Sequence, residues 1–263
     1  MSINNRSQSS TFSVAITGAS SGIGRALALR FAKETTHFYL AGRNQMRLEQ
    51  CRAEILTINP CAIIVVSCFD VGDKDACQKW CDEIFSVRLD ILIINAGVAL
   101  GEEVDVDKHL EICYTNVLGV AHIVFYALEH FSKQTRLENG RKGQIVLMSS
   151  IASLLAMPNA TSYSASKVFV RYLGESLNVS QDEVCITTIC PGVIRTPLTQ
   201  YLNPIVPQIP CEVATEKMYR AIKKGKKCYI FPLWLRCGAR FYHLLPFFLK
   251  TSLVKVFNYF GRL

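Results

Sequence analysis

Several things are missing from this sequence. Residues 1–11 are polar and lack the apolar stretch of a secretory signal. No run approaches the ~18 consecutive apolar residues of a spanning helix. Cysteines number eleven, yet there is no Cys-x-x-Cys and no Cys/His cluster, and the closest pair is Cys77 and Cys81. An odd count without paired spacing supports neither a disulfide framework nor a zinc site, so no metal is expected. Cys61, Cys68, Cys113, Cys185 and Cys190 lie in apolar stretches, where a thiol packs as a small hydrophobe, and this usage fits a reducing compartment. No internal repeat or linker divides the chain, and the polar stretch 133–142 reads as a surface loop. A composition of 50% hydrophobic and 19% charged residues, with mean hydropathy +0.21, excludes a disordered, collagen-like or low-complexity chain. The 263 residues suffice for one large domain with a full-sized core.

Acidic residues are absent after Glu216, and that absence explains the formal charge of +8. Residues 217–263 hold eleven Lys and Arg and eleven of the 26 aromatic residues, whereas residues 1–216 carry a net −3. The basicity belongs to an aromatic tail. No nucleic-acid recognition motif accompanies it, so no nucleic-acid partner is expected.

What is present is an alternation. Apolar runs at 12–17, 37–41, 62–66, 90–95, 144–149, 184–189 and 228–231 read as strands. Between them, 24–33, 45–58, 73–85, 107–132, 162–179 and 212–224 read as helices. The strands are continuously rather than alternately hydrophobic, which requires cover on both sheet faces. The expected fold is a single doubly wound parallel α/β sheet of Rossmann type with helices on both faces. It spans residues 1–231, with a C-terminal helical extension at 232–263.

Between the first strand and first helix stands Thr17-Gly18-Ala19-Ser20-Ser21-Gly22-Ile23-Gly24. Glycines there let backbone N–H groups and the helix dipole approach a pyrophosphate, which points to a dinucleotide on Gly18, Ser20, Ser21, Gly22, Ile23 and Gly24. At the end of the second strand, where an acid would grip the ribose hydroxyls of NAD, the chain reads Ala41-Gly42-Arg43-Asn44. Arg43 suits a 2′-phosphate, so NADP(H) is preferred and NAD(H) not excluded. The rival reading is a solvated surface arginine. Tyr163 and Lys167 are four apart in a helical segment and share a face. An ammonium beside a phenol favours phenolate and draws a pKa of about 10 toward neutrality, as general acid/base work requires.

In order along the chain come the 17–24 turn, Asp70-Val71, Asn95-Ala96-Gly97, Asn116, Ser149-Ser150, Tyr163-Ser164-Ala165-Ser166-Lys167 and Pro191-Gly192-Val193-Ile194-Arg195-Thr196. With these motifs residues 12–231 resemble the short-chain dehydrogenase/reductase family. Two departures are Ile94, where the family usually has a first asparagine, and a longer stretch from Asn116 to Ser150. The resemblance implies that Tyr163 donates a proton to a substrate carbonyl oxygen, or removes one in the oxidative direction, and that Ser150 hydrogen-bonds that oxygen. Lys167 would bind the nicotinamide ribose hydroxyls and hold the Tyr163 pKa down, and Asn116 would position a water linking Lys167 to solvent. Cofactor contacts would extend to Asp70 and Val71 at the adenine. They would also include Asn95, Ala96 and Gly97 along the ribose and phosphate wall, and Pro191, Gly192, Ile194 and Thr196 around the nicotinamide. Ser149 is the competing serine, but the thirteen residues from Ser150 to Tyr163 match the family's spacing. His37, His109, His122, His130 and His243 fall in none of these motifs.

Residues 196–211 are too apolar for a solvated loop and too proline-rich for a helix. They read as a substrate lid, or else as core packing, and with Leu154, Leu155 and Met157 they imply a lipophilic ketone or secondary alcohol as substrate. Beyond Phe231, segments 233–245 and 247–262 flank Pro246, and both are amphipathic and cationic. Arg236, Arg240 and His243 share a face of the first. This pattern fits helices lying in the interface of an anionic membrane, with a dimer contact or a cap over the cleft as rivals. The expected protein is a cytoplasmic reductase, peripheral on the cytoplasmic face of a membrane and homo-oligomeric through helices 107–132 and 162–179, as the resemblance implies. The alternative is a catalytically idle NADP(H) sensor or scaffold.

Overall fold

The computed structural model describes residues 12–99, 105–137, 140–157, 160–200, 206–246, 248–250 and 252. Seven strands form one sheet in the order β3-β2-β1-β4-β5-β6-β7, every neighbouring pair parallel. They are β1 Ser13–Thr17, β2 His37–Gly42, β3 Ile63–Cys68, β4 Ile91–Ile94, β5 Gly143–Met148, β6 Val184–Pro191 and β7 Cys228–Phe231. Between β1 and β4 the strand order reverses, which opens a crevice at the carboxyl ends of the strands.

The helices are α1 Gly22–Phe31, α2 Gln45–Ile58, α3 Lys74–Ile84, α4 Val106–Cys113, α5 Gly119–Lys133, α6 Thr161–Ser180, α7 Cys211–Lys223 and α8 Leu233–Leu244. They cover two cores. On one face Leu27, Phe31, Leu48, Ile55, Met218 and Ile222 come from α1, α2 and α7. On the other, Trp80, Ile84, Ile123, Phe131, Val170 and Leu177 come from α3, α5 and α6. Strands β1 and β4 are buried throughout, as continuous hydrophobicity demands. The edge strand β3 is exposed at both ends, so Cys68 there and Cys61 just before it face solvent. Cys113, the last residue of α4, is also exposed. For these three the expectation of thiols packed as hydrophobes is corrected: a local apolar run does not say which strand is an edge or which helix face is outward. Cys190 is buried and Cys185 half-buried, while burial pushes the Cys51, Cys77 and Cys81 thiols up to about 12.

The helix expected over 107–132 is continuous from Val106 to Lys133 but widens into a π turn at Tyr114–Leu118. It is long and apolar enough by length and composition alone to cross a membrane. Its apolarity has a nearer cause, since Val120, Ile123, Val124, Ala127 and Phe131 are buried against the sheet.

The two sides of the expected lid are pinned together at its base. Arg195 N–H donates to Ile209 O at 3.0 Å, and Ile209 N–H donates to Val193 O at 2.9 Å. Residues 201–205 of the expected lid lie outside the described residues. After β7, α8 turns back over the sheet end, where Leu235 packs so near Gly192 that a Cβ there would lie 2.9 Å from Leu235 Cδ1. Of the second tail segment, only 248–250 and 252 are described, and all four are helical.

Candidate active site

The crevice is built from the glycine turn outward. Gly18 has φ +67°, a left-handed conformation that favours glycine, and a Cβ at Gly24 would lie 2.2 Å from Gly18 O. The turn therefore closes only without side chains. Asn95 locks it: Nδ2 donates to Thr17 O at 3.2 Å and to Gly18 O at 3.3 Å. Thr17 Oγ1 in return accepts from the N–H groups of Asn95 and Ala96, at 3.0 and 3.1 Å. The Asn95 side chain thus holds the turn, and what it leaves toward the crevice is backbone. Thr17 was not foreseen in this bracing role. Ile94, in the position of the family's first asparagine, lies buried in β4.

At the mouth of this turn α1 begins with no side-chain cap from Ser21 and no acid in its first turn. By contrast α2, α3 and α4 are capped by Asn44, Asp73 and Asp105. The uncapped N–H groups and dipole of α1 suit a phosphate. Across from them Gly22 faces Thr196, whose Cβ would be 3.5 Å from an added side chain. Thr196 itself caps the short turn Pro197–Thr199.

The residues expected to carry proton chemistry gather at the ends of β4 and β5. Tyr163 stands half-buried in the first turn of α6, and Lys167 lies one turn on with Nζ 5.7 Å from the Tyr163 ring centroid. Lys167 is 5% exposed, and its Nζ donates to Met148 O at 3.0 Å. Burial pulls this ammonium down to about 8, partly offset by Cys190 beside it. Ser150, just past β5, accepts from Ala152 N–H at 3.1 Å, which leaves its own O–H to donate. Ser149 Oγ instead donates to Lys167 O at 2.8 Å, a structural bond that ties α6 to the end of β5.

Asn116 is fully buried inside the π turn. Its Nδ2 donates to Val98 O at 2.9 Å and to Ser166 Oγ at 3.1 Å, and its Oδ1 accepts from Val98 N–H at 2.9 Å. Ser166 passes the link on by donating to Tyr163 O at 2.7 Å. Single π turns inside α-helices are frequent at functional sites. At Gly97 a Cβ would lie 3.2 Å from Asn116 Oδ1 and 3.3 Å from Lys167 Nζ. The missing side chain thus keeps open the space between them. Bare N–H groups at one end of the crevice and the Lys167 ammonium beside the Gly97 gap at the other fit a nicotinamide dinucleotide laid across the switch point.

At the far end Asp70 Oδ1 accepts from Gly72 N–H at 2.8 Å. Arg43 Nη1 lies 3.5 Å from Asp70 Oδ2 and donates to Glu111 Oε1 at 2.8 Å. A cleft of about 350 Å³ opens among Asp70, Tyr114, Thr115 and Glu111. Sequence reasoning did not single out Glu111.

This fold and crevice define a dinucleotide-dependent oxidoreductase. Residues 13–206 match the family described as short chain dehydrogenase, and the chain belongs to that family. It is an NAD(P)-dependent enzyme interconverting CH–OH and C=O groups. One similar protein is 11-beta-hydroxysteroid dehydrogenase A of Arachis hypogaea, 31% identical over 248 residues, covering 85% of this chain and 69% of the relative. In fold the chain resembles a short chain dehydrogenase/reductase from Burkholderia phymatum in complex with NAD, with TM-score 0.76, 21% identity and coverage of 88% and 92% of the two chains. It also resembles a short-chain dehydrogenase from Sphingobium yanoikuyae in complex with NADPH, with TM-score 0.75, 23% identity and coverage of 84% and 88%.

Proposed function

We propose that this enzyme transfers hydride between NADP(H) and a lipophilic ketone or secondary alcohol, with Tyr163 as general acid/base. The observation that carries the reading is the buried Lys167 ammonium, held by Met148 O one helical turn from Tyr163. Its charge stabilises a Tyr163 phenolate, and its remaining N–H donors face the gap at Gly97, where they can hold ribose hydroxyls. The nicotinamide supplies or accepts the hydride. Ser150 donates to the carbonyl oxygen as charge develops there, and Tyr163 delivers the proton. Asn116 has its amide hydrogens and oxygen bonded to Val98 and Ser166, so in this reading a water that returns the proton through Lys167 rests on the Asn116 backbone.

Arg43 at the end of β2 supports the choice of NADP(H), as does the NADPH of the Sphingobium relative in fold. A lipophilic substrate is supported by Leu154, Leu155 and Met157 after Ser150 and by Leu235 over Gly192. The name of the Arachis relative, a hydroxysteroid dehydrogenase, points the same way. The extension from 232 is read as a membrane contact because Leu233, Trp234, Phe241 and Leu244 of α8 are exposed together with Phe248. We place the enzyme on the cytoplasmic face of a membrane. Homo-oligomer formation is supported by exposed apolar side chains along α4, the π turn and α5 (Leu110, Tyr114, Phe125) and α6 (Val168, Tyr172); sedimentation at the mass of a single chain would contradict it.

The test is NADPH oxidation against carbonyls graded in chain length. Tyr163→Phe should lower kcat/KM by about a hundredfold or more while NADPH still binds, and the wild type should favour longer chains. NADPH binding without turnover on any carbonyl would favour an idle sensor instead.

A further inference from the structure

We infer that Glu111 is a specificity-determining residue for the cofactor: its carboxylate competes with the 2′-phosphate of NADP(H) for the Arg43 guanidinium. This rests on the NADP(H) reading of Arg43. The two residues are 68 apart in the sequence, yet Arg43 Nη1 donates to Glu111 Oε1 at 2.8 Å, joining the end of β2 to the outer face of α4. Asp70 Oδ2 lies 3.5 Å from the same nitrogen. The Arg43 guanidinium that would receive a phosphate is therefore already shared by two carboxylates, and a third acid, Asp107, lines the adjoining cleft.

Arg43 and Glu111 are 52% and 47% exposed, so their pair contributes little to stability and exchanges readily for a stronger anion. A phosphate dianion forms charge-assisted, forked bonds with guanidinium and can displace a carboxylate. In doing so it meets the charge of Glu111 at close range. A ribose 2′-hydroxyl brings no charge and meets no such repulsion. Glu111 thus restrains affinity for NADP(H) selectively, and the balance of Arg43 against Glu111 sets the ratio between the two cofactors. Asp70 is held by Gly72 N–H, which leaves Glu111 as the freer competitor.

The experiment is titration calorimetry of the full chain with NADPH, NADH, adenosine 2′,5′-bisphosphate and 5′-ADP at fixed ionic strength. Wild type, Glu111→Gln, Glu111→Lys and Arg43→Ala are compared, with thermal melts confirming that each variant folds. Glu111→Gln should tighten NADPH and the 2′,5′-bisphosphate by about three- to fivefold, and Glu111→Lys should tighten them further. NADH and 5′-ADP should change by less than about twofold. Unchanged NADPH binding in both Glu111 variants, with NADPH weakened in Arg43→Ala, would overturn the role of Glu111 alone. An unchanged NADPH/NADH ratio in Arg43→Ala would overturn the NADP(H) reading beneath it.

Discussion

Lys167 is the residue on which burial and function pull in opposite directions. An unfolded lysine keeps its proton to about pH 10.4, whereas the folded chain releases it at about 8. Between those values the unfolded state binds more protons, so this group makes the folded state gain stability as pH rises from about 8 to about 10.4. Urea melts of the apo protein should therefore show the stability of wild type relative to Lys167→Met increasing between pH 7 and pH 10. A difference that stays flat would mean the ammonium is not desolvated as the geometry requires. Tyr163, Lys167, Ser150 and Asn116 stand out as candidates in the sequence because their spacing is local or follows a known order. Glu111 was not, since its only distinction is a contact with Arg43 across 68 positions.

Helix α6 carries both Tyr163 and Lys167, and its distance from the sheet is set by a residue with no side chain. A Cβ at Gly174 would lie 2.0 Å from Thr188 Oγ1 and 3.1 Å from Leu147 Cδ1. Gly174→Ala gains some helix propensity but forces α6 away from β5 and β6. The expected result is a net loss of about 1–2 kcal/mol in urea melts, with kcat/KM falling because Tyr163 and Lys167 move with the helix. Unchanged stability would show that the gap takes a methyl group. The boundaries of α6, like those of most elements, followed from hydrophobic period and flanking turns. The π turn at Tyr114–Leu118 did not. It depends on the clasp of Asn116 with Val98 and Ser166, and those three residues come from separate parts of the chain.

Among the described residues of the whole molecule, α8 carries large apolar side chains that the core leaves uncovered. Trp234 is 62% and Leu244 83% exposed on α8, whereas Leu235 and Tyr242 turn inward. In the full chain, Trp234→Asp with Leu244→Asp should leave the thermal midpoint within a few degrees and sharply reduce co-sedimentation with phosphatidylserine liposomes. Undiminished co-sedimentation would argue that α8 caps the cleft or meets a second subunit. The basic, aromatic composition of the tail was plain from the chain alone, but which face of α8 turns outward was not.

Alternating apolar runs and helical periods, a glycine turn between β1 and α1, and a Tyr-Lys pair at helical spacing were enough to determine a doubly wound sheet and to set Tyr163 and Lys167 on one helix. These signals are carried by near neighbours, whose side chains must share a face or a turn in any fold of the chain. Only the tertiary structure decided which cysteines face solvent, that Asn95 braces the glycine turn and that Arg43 is already engaged by Glu111 and Asp70. Each depends on which strand lies at an edge and which distant segments meet at the carboxyl end of the sheet, and packing settles both only once the whole core has formed.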